Sequence, residues 1–167
     1  LAAFEAGRAY VREQSNIPHH TPLVFAPSVG EKLFLTGNDA MCIGALEAGA
    51  GFYAGYPITP ASPQLELLER SSRTLGIAVR QMEDEIASIM AVLGAFYGGV
   101  NAYTATSGPG LSLMIEGIGH AGTAEIPAVI VDVQRAGPST GMPTKTEQSD
   151  LHIAVFGHHG EIPKIVL

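Results

Sequence analysis

Ile77-Ala78-Val79-Arg80-Gln81-Met82 runs straight into Glu83-Asp84-Glu85, and then 30 residues, Ile86 to Ile115, pass without a formal charge. The first six residues read as a strand. The pattern then predicts a helix from Asp84 to about Tyr97, a second strand over Val100 to Thr106, and a further helix from Gly110 to about Gly122. Strand, helix and strand in so short an uncharged span form a βαβ unit, whose strands lie parallel and whose crossover is right-handed. The same alternation extends outward in both directions. Before it come a short strand at Lys32 to Leu35, a helix from Gly37-Asn38-Asp39 to about Ala48 closed by Gly49, a strand over Gly51 to Tyr56, and a helix opened by Ser62-Pro63 and ended near Leu75-Gly76. After it come a β-branched strand at Ala128 to Val133, a loop at Ala136 to Thr146, a short helix around Glu147 to Phe156 and a last strand near Lys164 to Leu167. The expected fold class is α/β: three layers, a parallel sheet with helices on both faces.

Upstream the regularity stops. Leu1 to Gln14 reads as an amphipathic helix with Phe4, Ala9, Tyr10 and Val11 as its apolar side, and Ser15 to Gly30 as a connection. The expected division is a preceding module with its linker over residues 1–30 and one α/β domain over 31–167. The chain begins at Leu1 and stops inside a strand-like run, so the expectation is a piece of a longer polypeptide, truncated within its last domain.

In parallel sheets of this kind ligands bind beyond the carboxyl ends of the strands. Four strand-to-helix corners meet at that edge: Pro57-Ile58-Thr59-Pro60, Glu83-Asp84-Glu85, Ser107-Gly108-Pro109-Gly110 and Gln134-Arg135-Ala136-Gly137. Two readings stand for the acidic triplet. First-turn acids cap helices and answer the helix dipole. Alternatively, an acid at the mouth of so apolar a segment is desolvated, and desolvation favours the protonated form, so such a group can hold or share a proton near neutrality. Spacing does not choose between Glu83 and Glu85.

The other corners carry similar pairs of readings. Prolines on both sides of Thr59 fix the backbone, either to present its hydroxyl to a small ligand or to make a stiff turn. Thr104-Ala105-Thr106-Ser107-Gly108-Pro109-Gly110 lets a ligand approach the backbone at a helix N-terminus, or is a tight turn; it lacks the Gly-Lys-Ser/Thr of a phosphate loop. Arg135 suits a small carboxylate or phosphate, or pairs with Asp132 or Glu125.

Composition narrows the function. A net charge of -7 argues against nucleic acid or an anionic membrane surface. The single cysteine, Cys42, lies in an apolar helical pattern, reads as core, and forms neither a disulfide nor a zinc or iron–sulfur site by itself. The histidines, His19-His20 and His158-His159 among them, show no metal spacing. No signal peptide or spanning segment is visible, and the expected location is cytoplasmic.

With Tyr56-Pro57-Ile58-Thr59-Pro60, Gln81-Met82-Glu83-Asp84-Glu85-Ile86-Ala87-Ser88, Thr104 to Gly110, and Val133-Gln134-Arg135-Ala136-Gly137-Pro138-Ser139-Thr140-Gly141 in order, the chain from about Thr36 to Leu167 resembles the α subunit of 2-oxoacid:ferredoxin oxidoreductases. Ala3 to Gln14 resembles the tail of a γ domain fused ahead of α. The resemblance implies a thiamine diphosphate-binding fold of the pyrimidine-binding type. It implies that Glu85 activates the aminopyrimidine, and that Thr106, Ser107 and Gly108 join it in contacting the cofactor. It further implies that Thr59 and Arg135 contact the substrate. Ala61 stands where members often have serine. The implied reaction is oxidative decarboxylation of a 2-oxoacid to acyl-coenzyme A with reduction of ferredoxin. No Gly-Asp-Gly turn for Mg²⁺ and diphosphate occurs, and one cysteine cannot ligate an iron–sulfur cluster. Both groups are therefore expected on a partner β subunit. The competing expectation is a non-catalytic interaction domain that keeps the fold.

Overall fold

The structure is a computed structural model that describes residues 1–14 and 30–167. His19-His20 and nearly all of the expected connection lie outside the described residues. Two compact units are present, Leu1–Phe34 and Leu35–Leu167. In the first, helix α1 (Ala2–Glu13) forms where the apolar periodicity predicts, and none of its residues is buried.

The second unit contains α2 (Gly37–Glu47), β1 (Phe52–Gly55), α3 (Ser62–Leu75), β2 (Ala78–Gln81), α4 (Glu85–Tyr97), β3 (Ala102–Thr106), α5 (Gly108–Thr123), β4 (Ile130–Asp132) and α6 (Leu151–Phe156). Local chemistry sets most of the boundaries. Thr36 and Asp39 close a capping box ahead of α2, and Gly49 follows that helix at φ +83. Gly76 ends α3 in the left-handed region and donates its N–H to the Ser72 carbonyl at 2.9 Å. Asp84 caps α4, its Oδ1 accepting from the Ala87 N–H at 2.7 Å.

Five expectations need correction. Lys32 to Leu35 pairs with no strand among the described residues, and Leu33 and Phe34 stand exposed. Lys164 to Leu167 likewise joins no ladder among the described residues. An apolar, strand-like run becomes a strand only where another strand can take its N–H and C=O groups. The residue capping α3 is Ala61, without a side-chain cap bond, and Ser62-Pro63 forms its first turn. Helix α5 begins at Gly108 rather than Gly110, because Pro109 lacks only an N–H that a first turn leaves unpaired anyway. Helix α6 begins at Leu151, four residues after the expected Glu147.

All strand pairs are parallel, in the order β2-β1-β3-β4. The chain steps from β1 outward to β2, returns across β1 to β3, and continues to β4. Its direction of travel therefore reverses at the β1/β3 boundary, the place where the corners after these two strands part and leave a crevice. Successive residues of each strand face opposite layers. Tyr53 and Tyr103 pack with Cys42, Leu65, Leu68 and Ile77 on the α2/α3 side. Ala54 and Ala102 pack with Val92 of α4 on the other. The two tyrosine rings meet edge to face at 4.9 Å, and the Tyr103 hydroxyl reaches the Cys42 Sγ at 3.7 Å. Burial pushes the Cys42 thiol up, so this cysteine is core. Among the described residues no helix is long and apolar enough to cross a membrane.

Candidate active site

The acidic triplet is divided by the start of α4. Glu83 is exposed, Asp84 is spent on the cap, and Glu85, the first helical residue, is only 6% exposed. Its side chain turns towards the β3–α5 corner. A methyl group built on Gly110 would overlap the Thr106 hydroxyl and lie 2.7 Å from Glu85 Cγ and 2.9 Å from Glu85 Oε1. Glycine is therefore required at position 110 by close approach, not by backbone freedom. Glu85 forms no ion pair: the one ion pair among the described residues joins His159 and Glu116.

The β3–α5 corner is buried except at Pro109, which is half-buried. Thr106 and Ser107 have no exposed surface, and the Thr106 hydroxyl donates to the Ser107 carbonyl at 3.4 Å. Ser107 caps α5 by position, yet its side chain makes no cap bond, and its buried Oγ has no partner. Gly108 lies directly beneath the Asp150 carboxylate.

Arg135 bridges two corners. Its Nη1 donates to the Thr59 carbonyl and its Nη2 to the Thr140 carbonyl, each at 2.8 Å. The side chain is 5% exposed, and Nε is buried without a partner. An ion pair with Asp132 or Glu125 is not formed, so that reading of Arg135 is set aside. Three of its five N–H groups have no partner among the described residues. Thr59 is exposed at the corner after β1, next to the Arg135 head group through its own carbonyl. Thr59 and Arg135 are thus brought together directly. Glu85, Thr106, Ser107 and Gly108 form a second group, joined around Gly110.

Sequence reasoning missed one cluster. Asp132 follows Val131 at the end of an otherwise uncharged strand, and its Oδ1 is buried without a partner. Burial, and after it the Asp150 carboxylate, pushes Asp132 up to about 7. The signal that marks it is a charge closing an apolar strand of a sheet covered on both faces.

The fold is thus a doubly wound parallel α/β domain that carries a buried acid, Glu85, at one strand-to-helix corner and a buried guanidinium, Arg135, at another, on the edge where sheets of this class bind ligands. Residues 42–167 match the family described as "Pyruvate flavodoxin/ferredoxin oxidoreductase, thiamine diP-bdg", and the chain belongs to that family. It is 52% identical over 134 residues to the 2-oxoglutarate synthase subunit KorA of Methanocaldococcus jannaschii, covering 80% of this chain and 37% of that one. It is 48% identical over 148 residues to subunit alpha of 2-oxoacid:ferredoxin oxidoreductase 1 from Aeropyrum pernix, covering 84% and 23%. Among solved structures it is similar to the 2-oxoglutarate:ferredoxin oxidoreductase from Magnetococcus marinus with 2-oxoglutarate, coenzyme A and succinyl-CoA bound, at a TM-score of 0.84 and 44% identity, covering 97% of this chain and 28% of that one. The chain thus spans between 23% and 40% of the length of curated relatives it matches.

Proposed function

We propose that this chain is the pyrimidine-binding part of the α subunit of a 2-oxoacid:ferredoxin oxidoreductase, which decarboxylates a 2-oxoacid oxidatively to acyl-coenzyme A and reduces ferredoxin. The observation that carries the reading is Glu85: a carboxylate buried at the ligand edge, without an ion-pair partner, held against the β3–α5 corner. Such an arrangement suits an acid that shares a proton with a ring nitrogen rather than one that stabilises the fold. The residues present fit thiamine diphosphate, since Glu85 can meet the aminopyrimidine and the unpartnered Ser107 Oγ and the Gly108 backbone line the same corner. When bound, that cofactor supplies the carbon nucleophile and the electron sink for loss of carbon dioxide. Glu85 holds and returns the proton that activates it. Thr106, Ser107 and Gly108 shape the wall beside it. Thr59 offers its hydroxyl to the 2-oxo group, and Arg135 directs its free N–H groups at the substrate carboxylate, a charge-assisted contact.

The remaining chemistry is assigned to a partner. No Gly-Asp-Gly turn is available for Mg²⁺ and diphosphate, and Cys42 is one buried thiol, so we place the metal and the iron–sulfur cluster on a β subunit. Apolar side chains exposed on the two helices that follow these corners, namely Ile86 and Met90 on α4 and Leu113 on α5, support a covering partner. Residues 1–30 are assigned to the tail of a preceding γ-like module and its linker; the separation of Leu1–Phe34 from the rest supports this. We place the complex in the cytoplasm, where a thiol such as Cys42 stays reduced.

The test is Glu85→Gln in the assembled αβ complex. Removing general acid–base help typically costs about 10²- to 10⁴-fold in rate, so 2-oxoacid-dependent acceptor reduction should fall by that factor while assembly is kept. Turnover near that of the unchanged complex would overturn the assignment.

A further inference from the structure

The corner that carries Thr59 is held by its carbonyls. Pro57 and Pro60 have no N–H to give, and among the described residues the N–H groups of Ile58 and Thr59 make no hydrogen bond. The Ile58 carbonyl is used inside the corner, by the Ala61 N–H at 2.8 Å and the Ser62 N–H at 2.9 Å. The hydrogen bonds that tie Pro57–Pro60 to other elements, among the described residues, go to two consecutive carbonyls. Arg135 Nη1 donates to that of Thr59 at 2.8 Å, and Asn38 Nδ2, from the first turn of α2, to that of Pro60 at 2.9 Å. Behind Asn38 stands Gln64 of α3, which has no exposed surface and donates from Nε2 to Asn38 Oδ1 at 3.0 Å. One group sets the direction of both amides. A carbonyl can only accept, so Asn38 turns Nδ2 to Pro60 and Oδ1 away, and Oδ1 then needs the Nε2 donor of Gln64. Gln64 Oε1 is thereby left buried without a partner. An apolar side chain of that size would fill the place without leaving an acceptor unpaired, so packing alone does not account for a glutamine there.

From this geometry we infer that Asn38 and Gln64 are positioning residues for the substrate-carboxylate contact: Gln64 orients Asn38, Asn38 holds the Pro60 carbonyl, and the corner so held fixes the Arg135 head group through the Thr59 carbonyl. The inference rests on the reading of Arg135 and Thr59 as the substrate contacts. With the Pro60 side released, the Thr59 carbonyl drifts from Nη1 in part of the molecules. Arg135 keeps its second bond, from Nη2 to the Thr140 carbonyl, so the guanidinium loses its aim rather than its place. Apparent affinity for the 2-oxoacid falls with the fraction of molecules that stay aimed. Glu85 sits on a different corner, so KM rises and kcat changes far less.

The experiment uses the assembled complex with 2-oxoglutarate or pyruvate, whichever it turns over. Asn38→Ala should raise KM roughly two- to tenfold, the worth of one hydrogen bond. Gln64→Met keeps the size of the side chain and should raise KM in the same direction by less, because Asn38 keeps its donor and loses only its orienting partner. Asn38→Asp keeps the shape of residue 38 but sets an oxygen against the Pro60 carbonyl; its KM should be at least that of Asn38→Ala, and it serves where the alanine variant fails to assemble. A mere anchor between α2 and α3 would lower the unfolding temperature of these complexes and leave KM alone. Arg135→Lys completes a double-mutant cycle: if Asn38 acts through Arg135, Asn38→Ala should add little to the KM of Arg135→Lys. Amide hydrogen exchange at Ala61 and Ser62, which share the Ile58 carbonyl, should speed up in Asn38→Ala. A KM unaltered by Asn38→Ala yet raised by Arg135→Lys overturns the inference, and so do effects of the two substitutions that multiply. A KM unaltered by Arg135→Lys removes Arg135 as ligand instead, and exchange then decides alone: the rate of the unchanged complex at Ala61 and Ser62 in Asn38→Ala overturns the role of Asn38.

Discussion

Alanine at Gly110 and at Gly44 should act in opposite directions, although both glycines lie inside helices. Replacing a helical glycine by alanine removes backbone entropy from the unfolded chain and gains about 0.8–1.0 kcal/mol. At Gly44, in α2, the added methyl meets nothing within 4 Å, so the full gain should appear. At Gly110 the methyl would overlap the Thr106 hydroxyl and lie 2.7 Å from Glu85 Cγ. Neither neighbour can swing into solvent, since Thr106 has no exposed surface and Glu85 almost none. Overpacking of that sort costs about 1–3 kcal/mol. Set against the propensity gain, the net effect at Gly110 is a loss of up to about 2 kcal/mol. The effect on turnover should be larger than the effect on stability. Relief of the clash has to move Glu85, and misplacement of a catalytic group by 1 Å can cost about 10²-fold. Thermal unfolding and 2-oxoacid-dependent acceptor reduction of the two variant complexes give the comparison. A Gly110→Ala complex that gains stability as Gly44→Ala does and turns over normally would refute the close approach of Glu85 to the β3–α5 corner.

Two further outcomes concern stability. Asp84→Ala removes the acceptor of the Ala87 N–H and should destabilise the fold by about 1 kcal/mol, read from chemical denaturation; no change would show that Asp84 does not cap α4. Asp132→Asn should change how stability depends on pH. The folded chain holds a proton on Asp132 up to about 7, where the unfolded chain releases it near 3.8. The associated stability is complete below the lower value and is lost as pH rises through the upper one; solvent screening of this half-buried acid keeps the loss well under the about 4 kcal/mol that the full shift would give. Denaturation midpoints measured from pH 4 to pH 8 should fall with pH more steeply in the parent than in the asparagine variant, and equal slopes would contradict the burial of this acid.

Much of the fold was legible because each layer repeats the same local grammar. A strand run, a cap and a glycine or proline stop recur from Gly37 to Phe156, and strand existence followed wherever a neighbouring strand was available. Lys32 to Leu35 and Lys164 to Leu167 failed for the complementary reason: their composition is strand-like, but ladder partners are a property of the sheet and not of the run. The convergence of Arg135 with Thr59 was legible as two corners on one edge. The form of their contact was not, since 76 residues separate a guanidinium from the carbonyl it bonds. Asp132 and Asp150 escaped notice on the same grounds. Each looks ordinary locally, one as a strand end and the other as a helix cap, and only the fold shows that Asp150 lies on Gly108 and is held by Gln134 and that Asp132 keeps a buried oxygen without a partner.

The acidic triplet shows how a small local preference can decide which of two like residues is carried into the fold. Glu83 and Glu85 have the same functional group and flank the same aspartate. Successive helical residues are turned by about 100°, so the residue at which α4 starts determines which acid faces α5. The start is set by Asp84, whose carboxylate takes the Ala87 N–H and whose backbone carbonyl takes the Ser88 hydroxyl at 2.8 Å. With the cap on Asp84, Glu83 is left in the bend ahead of the helix and exposed, and Glu85 is the first side chain carried inward. A start one residue later would instead spend Glu85 as the cap and leave no carboxylate beside Gly110. The aspartate that merely caps the helix is therefore what carries Glu85 inward, to the corner where the proposed function needs it.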